Sequence, residues 1–278
     1  MNLMKNTNVS TRTIISDVNV KLDIDRIFKT IPLHVQLRDY PCRIVTMYYK
    51  NTIKGDVSVL ENRNCNQSFR NSVNIIFRIH EQLINVKVST HGNFQITGAK
   101  IRANCYQVIC YFLDLCTEYT PDVIEKTKED ENIEIIFDTV MTNIVFNTHF
   151  KIDKIKLNKV LQKNSDFYNL FETSFGYTGM NVKLPLETET WKNFTIPKYI
   201  RNEEKKIWKE TMIEYDSYFS NHTTKKKNKQ KYNTFLIFHS GKIIMSGMIE
   251  ENMKDHFSFF YQFLQDHRHE IEEVIQPC

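Results

Sequence analysis

Long apolar runs are what this sequence most plainly lacks. Nothing in its 278 residues approaches the roughly 18 uninterrupted apolar positions that a membrane-spanning helix needs, and the opening MNLMKNTNVS has no apolar signal-peptide segment. An intracellular protein outside the membrane is therefore expected, in which Asn-x-Ser/Thr triplets such as Asn193-Phe194-Thr195 carry no glycosylation message. Paired cysteines are missing as well. Cys42, Cys65, Cys105, Cys110, Cys116 and Cys278 form no C-x-x-C pair and three of them fall in one predicted helix, so neither a zinc site nor a disulfide framework is supported and reduced thiols are expected. Net charge is only +4, which excludes a polycation. Glycine (7) and proline (6) are scarce while Asn, Ile and Lys abound, the composition an AT-rich coding genome gives.

What is present suffices for a globular fold. The chain is 41% hydrophobic and 12% aromatic, enough for a substantial core in one large or two small domains. Positive charge is concentrated in Lys225-Lys226-Lys227-Asn228-Lys229-Gln230-Lys231, which reads either as a solvated loop or as a phosphate-contacting or nuclear-import-like segment.

The chain also resembles itself. At an offset of 130 residues TIISDVNVKLD (13–23) aligns without a gap on NIVFNTHFKID (143–153). Each reads as a strand ending in Asp23 or Asp153, placed where a helix N-cap belongs, and helical periodicity follows in Ile24, Ile27, Phe28 and Ile31, or in Leu157, Val160 and Leu161. Further on, at an offset of 149, GNFQITGAK (92–100) matches GKIIMSGMI (241–249). Each is preceded by a strand-like run, so His91-Gly92 and Ser240-Gly241 read as hairpin turns. Each is followed by an amphipathic helix: Ile101, Cys105, Val108, Phe112 and Cys116 in one copy, Met253, Phe257, Phe260, Leu264, Ile271 and Val274 in the other. The aromatic stripe Phe257, Phe260 and Phe263 is accounted for by packing against a sheet. Strand, helix, strands, helix thus occurs twice. The unequal offsets require insertions, around 32–68 in the first copy and 186–231 in the second. Within them CRIVTMYY (42–49) reads as an added strand and the charged 201–216 as a short helix.

At this point the residues resemble the TATA-binding protein family, whose core repeats this order twice. The family's Asn-Ile-Val strand is Asn143-Ile144-Val145 here. Its hairpin Phe-x-Ser-Gly-Lys-apolar-x-x-Thr-Gly is Phe238-His239-Ser240-Gly241-Lys242-Ile243-Ile244-Met245-Ser246-Gly247, and its Val-Ile-Met-Arg-Ile-Arg-Glu strand is Ile75-Ile76-Phe77-Arg78-Ile79-His80-Glu81. The insertions and composition are similar to divergent versions in large nucleocytoplasmic DNA viruses. The resemblance implies an α+β fold: a pseudo-twofold saddle of curved antiparallel sheet with helices on the convex face, one repeat over 12–119 and the other over 132–276.

The same resemblance implies minor-groove binding to AT-rich duplex. Base-edge residues become Thr13 and Ile15, Gln95 and Thr97 in one half, and Asn143 and Val145, Ile244 and Ser246 in the other, with Leu236 extending the apolar face. Spacing of i, i+2 puts each pair on one face of a strand. Phe238 matches a base-step wedge and Tyr177 is a looser match to its partner. In the first half Ser89 replaces Phe238, and the other wedge position falls near Ser72 with Phe69 close by. Arg78, Lys100, Lys183 and Lys242 stand near phosphate-contacting positions. Lys87 and Asp17 depart from the pattern, since each is placed on the presumed DNA face and Asp17 would repel phosphates.

Promoter recognition, with recruitment of a TFIIB-like factor and RNA polymerase by a monomer on DNA, is the function so implied; for a viral protein the setting would be the host cytoplasm and the virion. The competing expectation is an interaction module that kept the fold and lost strong DNA affinity. An enzyme is not supported. There is no helix-hairpin-helix with catalytic Lys and Asp, no carboxylate cluster on successive strands and no Gly-rich phosphate loop. No cofactor is expected, and His267 and His269, at i, i+2 on a predicted helix, diverge.

Overall fold

The computed structural model describes residues 9–37, 39–60, 71–128, 132–164, 167–170, 179–187, 193–222 and 230–273. It opens with β1 (Val9–Val18), in which Ile14, Ser16 and Val18 are buried while Thr13, Ile15 and Asp17 are half-exposed, the period of two required of a strand covered on one face. After β2 (Val20–Leu22) the Asp23 carboxylate accepts the Arg26 N–H at 3.0 Å and starts α1 (Ile24–Thr30). Next come β3 (Cys42–Tyr49), β4 (Thr52–Gly55), a 3₁₀ turn (Val57–Leu60), β5 (Ser72–Ile79), β6 (Gln82–Ser89), β7 (Asn93–Ala99), α2 (Arg102–Tyr119), β8 (Ile124–Lys126) and β9 (Glu134–Asn147). The second copy continues through α3 (Lys154–Gln162), capped by Asp153, then β10 (Tyr168–Leu170), β11 (Met180–Pro185), β12 (Thr195–Asn202), β13 (Ile207–Glu214), α4 (Tyr215–His222), β14 (Tyr232–Ile237), β15 (Lys242–Gly247), α5 (Glu250–Asp266) and α6 (Arg268–Ile271).

The chain forms two compact units, Thr11–Thr139 with Thr195–Ile213, and the remainder. In the first, antiparallel strands lie in the order β1-β7-β6-β5-β3-β4. Helix α2 buries Val108, Tyr111, Phe112 and Leu115 against Ile14, Phe77, Phe94 and Ile96, with Phe77 and Phe94 meeting Phe112 edge to face. In the second unit the order is β9-β15-β14-β11-β10, again antiparallel, and α5 buries Met253, Phe257, Phe260 and Leu264 on it. The expected α+β class, antiparallel sheet with helices packed on one face, is found in each unit. Val274 lies outside the described residues. The thiols of Cys42, Cys105, Cys110 and Cys116 are free and buried, and burial pushes those of Cys42 and Cys105 up to about 12.

Equivalent hydrogen bonds hold both copies. Val18 N–H donates to Gly92 O at 2.9 Å and Thr148 N–H to Gly241 O at 3.0 Å; Leu22 N–H reaches Thr90 O, and Ile152 N–H reaches His239 O, both at 2.9 Å. The hairpin glycines have φ of +72° and +81°, and a Cβ on either would lie 2.3 Å from Val18 O or 2.2 Å from Phe150 O. Both the conformation and the close approach therefore demand glycine.

The 201–216 segment is not the short helix its composition predicts. Residues 201–202 end β12, 203–206 turn, and 207–214 form β13; helix begins only at Tyr215. Long-range pairing overrides local preference: β12 pairs with the start of β9, Lys198 opposite Ile136 and Ile200 opposite Glu134. The hairpin is tied to α2 through one carboxylate. Asp114 Oδ2 accepts from Tyr40 Oη at 2.5 Å and Trp208 Nε1 at 3.2 Å, while its Oδ1 lies 3.1 Å from Arg201 Nη2 as an ion pair without hydrogen-bond alignment. Arg201 Nη1 also donates to Thr117 Oγ1 at 2.9 Å. Two clefts of about 400 and 330 Å³ flank this junction.

In the second unit the buried Asn233 Nδ2 lies 3.0 Å from His256 Nδ1, which can accept only when that nitrogen carries no proton. Burial lowers the His256 pKa below its usual 6.5. The unfolded chain therefore binds the proton more tightly, so this contribution is present above pH 6.5 and lost as pH falls through the lowered folded-state value. Thermal unfolding across that window should show Tm falling with acidification, and His256→Gln, which retains an acceptor, should flatten the dependence.

Candidate nucleic-acid interface

In the first unit, β1 and β7 set Thr13 opposite Thr97 and Ile15 opposite Gln95. The four residues nominated from sequence thus form one contiguous patch on the face opposite Ile14 and Ile96, which belong to the core. Next along the rows, Gln95 faces Lys87 and Thr97 faces Asn85. Lys87 is therefore on the patch side of the sheet, where partial burial lowers its pKa. Asp17 stands opposite Asn93 at the end of the same face.

Beyond β6 that face is covered. Ile76 and Val45 are buried with Leu60 of the 3₁₀ turn, and Tyr48, Val59 and Leu83 pack around them. Asp56 N–H donates to Val45 O at 3.1 Å, Thr46 Oγ1 donates to Asp56 O at 2.5 Å, and the Asp56 carboxylate accepts from Ser58 N–H and Oγ at 2.9 and 2.6 Å. Gly55, at φ +104°, admits no side chain because a Cβ would lie 2.3 Å from Val45 O. Bonds from Ser58 hold the Asp56 carboxyl below its usual range, aided by the charge of Arg78, so that nominated cation sits within electrostatic reach of a carboxylate. Lys100 is exposed just after β7.

The second unit repeats the patch. Asn143 faces Ser246 and Val145 faces Ile244, while across the next ladder Ser246 faces Thr234 and Ile244 faces Leu236. Ser246 Oγ donates to Asn143 Oδ1 at 2.7 Å. The rows continue to Lys183 and Asn181 on β11, and from Lys183 to Tyr168 on β10. Tyr168 and Tyr232 meet edge to face at 5.8 Å, and Lys183 Nζ lies 5.7 Å from the Tyr232 ring centre. Lys242, exposed, is opposite Asn147 at the far end. Among the described residues of this parity on the five strands there are two lysines and no carboxylate.

Phe238 follows Leu236 at the same parity and is half-exposed in the turn, where its N–H donates to Lys242 O and its carbonyl accepts from Gly241, each at 3.0 Å. Its counterpart Ser89 faces Ser72, and Ser89 Oγ accepts the Asn93 N–H at 3.2 Å. A short hydroxyl here closes the turn, which gives the first unit's departure a local structural role. Phe69 and Tyr177 lie outside the described residues. Sequence reasoning missed Tyr232, recoverable by stepping back two residues from Thr234; Tyr168 and the Leu60 cover had no sequence signal, since only strand pairing and packing place them. No helix among the described residues is long and apolar enough to cross a membrane, and no group of three His, Cys, Asp or Glu among them is placed to hold a metal ion.

Fold and face together define an α+β protein built from two related antiparallel units, each with an apolar and short-polar patch on the side of its sheet away from the helices. No protein-family model matches the chain. It is 25% identical over 195 residues to Uncharacterized protein 335L of Invertebrate iridescent virus 6, a match covering 66% of this chain and 56% of that protein, so the chain spans little more than half of the relative's length. Among solved structures it is similar to Methanococcus jannaschii TBP, with a TM-score of 0.42 and 11% identity over 94% of this chain and 98% of that one.

Proposed function

We propose that this chain is a TATA-binding-protein-like transcription initiation factor, without catalytic activity, that binds AT-rich duplex DNA in the minor groove and recruits a TFIIB-like factor and RNA polymerase. The observation that carries this is the repeated quartet: Thr13, Thr97, Ile15 and Gln95 in one unit, Asn143, Ser246, Val145 and Ile244 in the other, paired by equivalent registers. A minor groove of A·T pairs offers acceptors and no guanine amino group, and an apolar strand face with a few small donors is what such a groove accepts. The similarity to a protein of Invertebrate iridescent virus 6 supports a viral setting. The test is a salt series with AT-rich and GC-rich duplexes and end-labelled DNA to read bending. Tighter binding of the AT-rich duplex with a bend, and loss of the bend in Phe238→Ala, is the expected result; equal affinity for both duplexes at every salt concentration would sink the proposal.

A second reading has its own support. The Leu60 cover on Ile76, the Asp17 carboxylate and the turn-closing Ser89 all subtract from the first unit as a DNA face, as in an interaction module that kept the fold and lost strong DNA affinity. On that reading the isolated protein shifts no duplex, and Asp17→Thr with Ser89→Phe restores a shift. For a protein that already binds, the same pair of substitutions should tighten duplex affinity by about 10-fold, because one phosphate repulsion is removed and one wedge added.

A further inference from the structure

We infer that Tyr168, Tyr232 and Lys183, at the outer edge of the second unit's open face, form a stacking site for an unpaired DNA base. The inference rests on the function proposed above in taking DNA as the ligand, and it adds a site that the minor-groove patch does not contain.

Tyr168 is 59% exposed, on a strand of only three residues. Its ring meets that of Tyr232 at an interplanar angle of 76°, so the pair cannot satisfy each other face to face and ring surface is left to solvent. The row Tyr168, Lys183, Thr234, Ser246, Asn143 runs unbroken across five strands, which puts the tyrosine about 19 Å from the Asn143 strand at the usual interstrand spacing. One surface therefore carries groove-type residues at one end and aromatic rings at the other. The ligand must present a flat π-face beside negative charge, because this parity bears Lys183 and Lys242 and no Asp or Glu among the described residues. Within a duplex both faces of a base are covered by its neighbours. Only a base that is single-stranded or has left its stack can offer one to a tyrosine, with Lys183 placed to meet the adjoining phosphate.

The experiment uses the full chain and two probes: a short single-stranded oligothymidylate carrying one 2-aminopurine, and an AT-rich duplex with 2-aminopurine in a bulge. Quenching on binding is expected with either probe, and the two arms tell a free strand from a locally opened duplex as the source of the base. Tyr168→Ala should weaken binding of the quenched probe about 10-fold and remove the quench, while Tyr168→Phe, which keeps the ring, should stay within about twofold of wild type. Lys183→Gln should reduce the salt dependence of binding. Wild-type protein that quenches neither probe, or Tyr168→Ala that binds as wild type does, overturns the inference. Preference for AT-rich over GC-rich duplex is measured on the same samples. Its retention without quenching defeats the stacking site alone, and ring-dependent quenching without the preference defeats the minor-groove function alone.

Discussion

Ile244→Asp is expected to cut affinity for AT-rich duplex by about 100-fold or more while leaving the fold intact. Ile244 lies between Val145 on one side and Leu236 on the other, at the centre of the second unit's open face. A carboxylate there must shed water against an apolar groove wall and faces phosphates of its own sign, a combined cost on the order of 3 kcal/mol. Ile244 is only half-buried in the isolated protein, so the change in folding stability should stay within about 1 kcal/mol. Ile244→Val should bind nearly as wild type does. Met245, one residue on and fully buried on the opposite face, supplies the contrast: Met245→Asp should unfold the unit. Mobility shift paired with thermal melting reads both outcomes, and loss of binding by Ile244→Asp only in parallel with a large fall in Tm would defeat the assignment of this face.

Asp114→Ala should destabilise the first unit by about 3 kcal/mol, because the buried Arg201 guanidinium loses its nearer counter-charge and keeps only the more exposed Glu203, 3.5 Å from its Nη1. The Arg201 side chain is only 4% exposed, and Tyr40 and Trp208 lose their acceptor in the same step. Burial raises the Asp114 pKa above its ordinary 3.8, against the pull of Tyr40, Arg201 and Trp208. For a carboxyl so raised the linked stability is present below 3.8 and lost as pH rises through the folded-state value, so acidification does not weaken the fold through this group. Asp114→Asn, a neutral isostere, should accordingly lose less than Asp114→Ala. Pairing Asp114→Leu with Arg201→Met should recover much of the loss, since the pair's desolvation disappears with its charges. Urea unfolding of Asp114→Ala, Asp114→Asn, the single changes Asp114→Leu and Arg201→Met and their double variant measures this, and additive losses in the double variant would contradict it.

Local chemistry made the repeats legible. Asp23 and Asp153 announce their helices because a short carboxylate satisfies free N–H groups wherever a helix starts, and the alternation along 13–23 and 143–153 marks one strand face as buried. Gly92 and Gly241 were readable for the same reason, as positions that need a positive φ. The patch residues were nominated by the resemblance; i, i+2 spacing added only that each pair shares one face of its strand.

The sequence by itself determined which residues alternate, where helices begin and which hairpins turn, since each depends on a few neighbouring residues. Only the tertiary structure decided what those elements meet. It sent residues 201–214 of the charged segment into β12 and β13, with β12 paired to β9, laid Leu60 over Ile76, and joined Tyr168 to the face that holds Asn143. Partners in these contacts belong to separate elements of the chain. Their energy comes from desolvation and cross-strand pairing that no local window contains, so composition favouring a helix at 201–216 yielded to an edge-strand pairing and a buried ion pair.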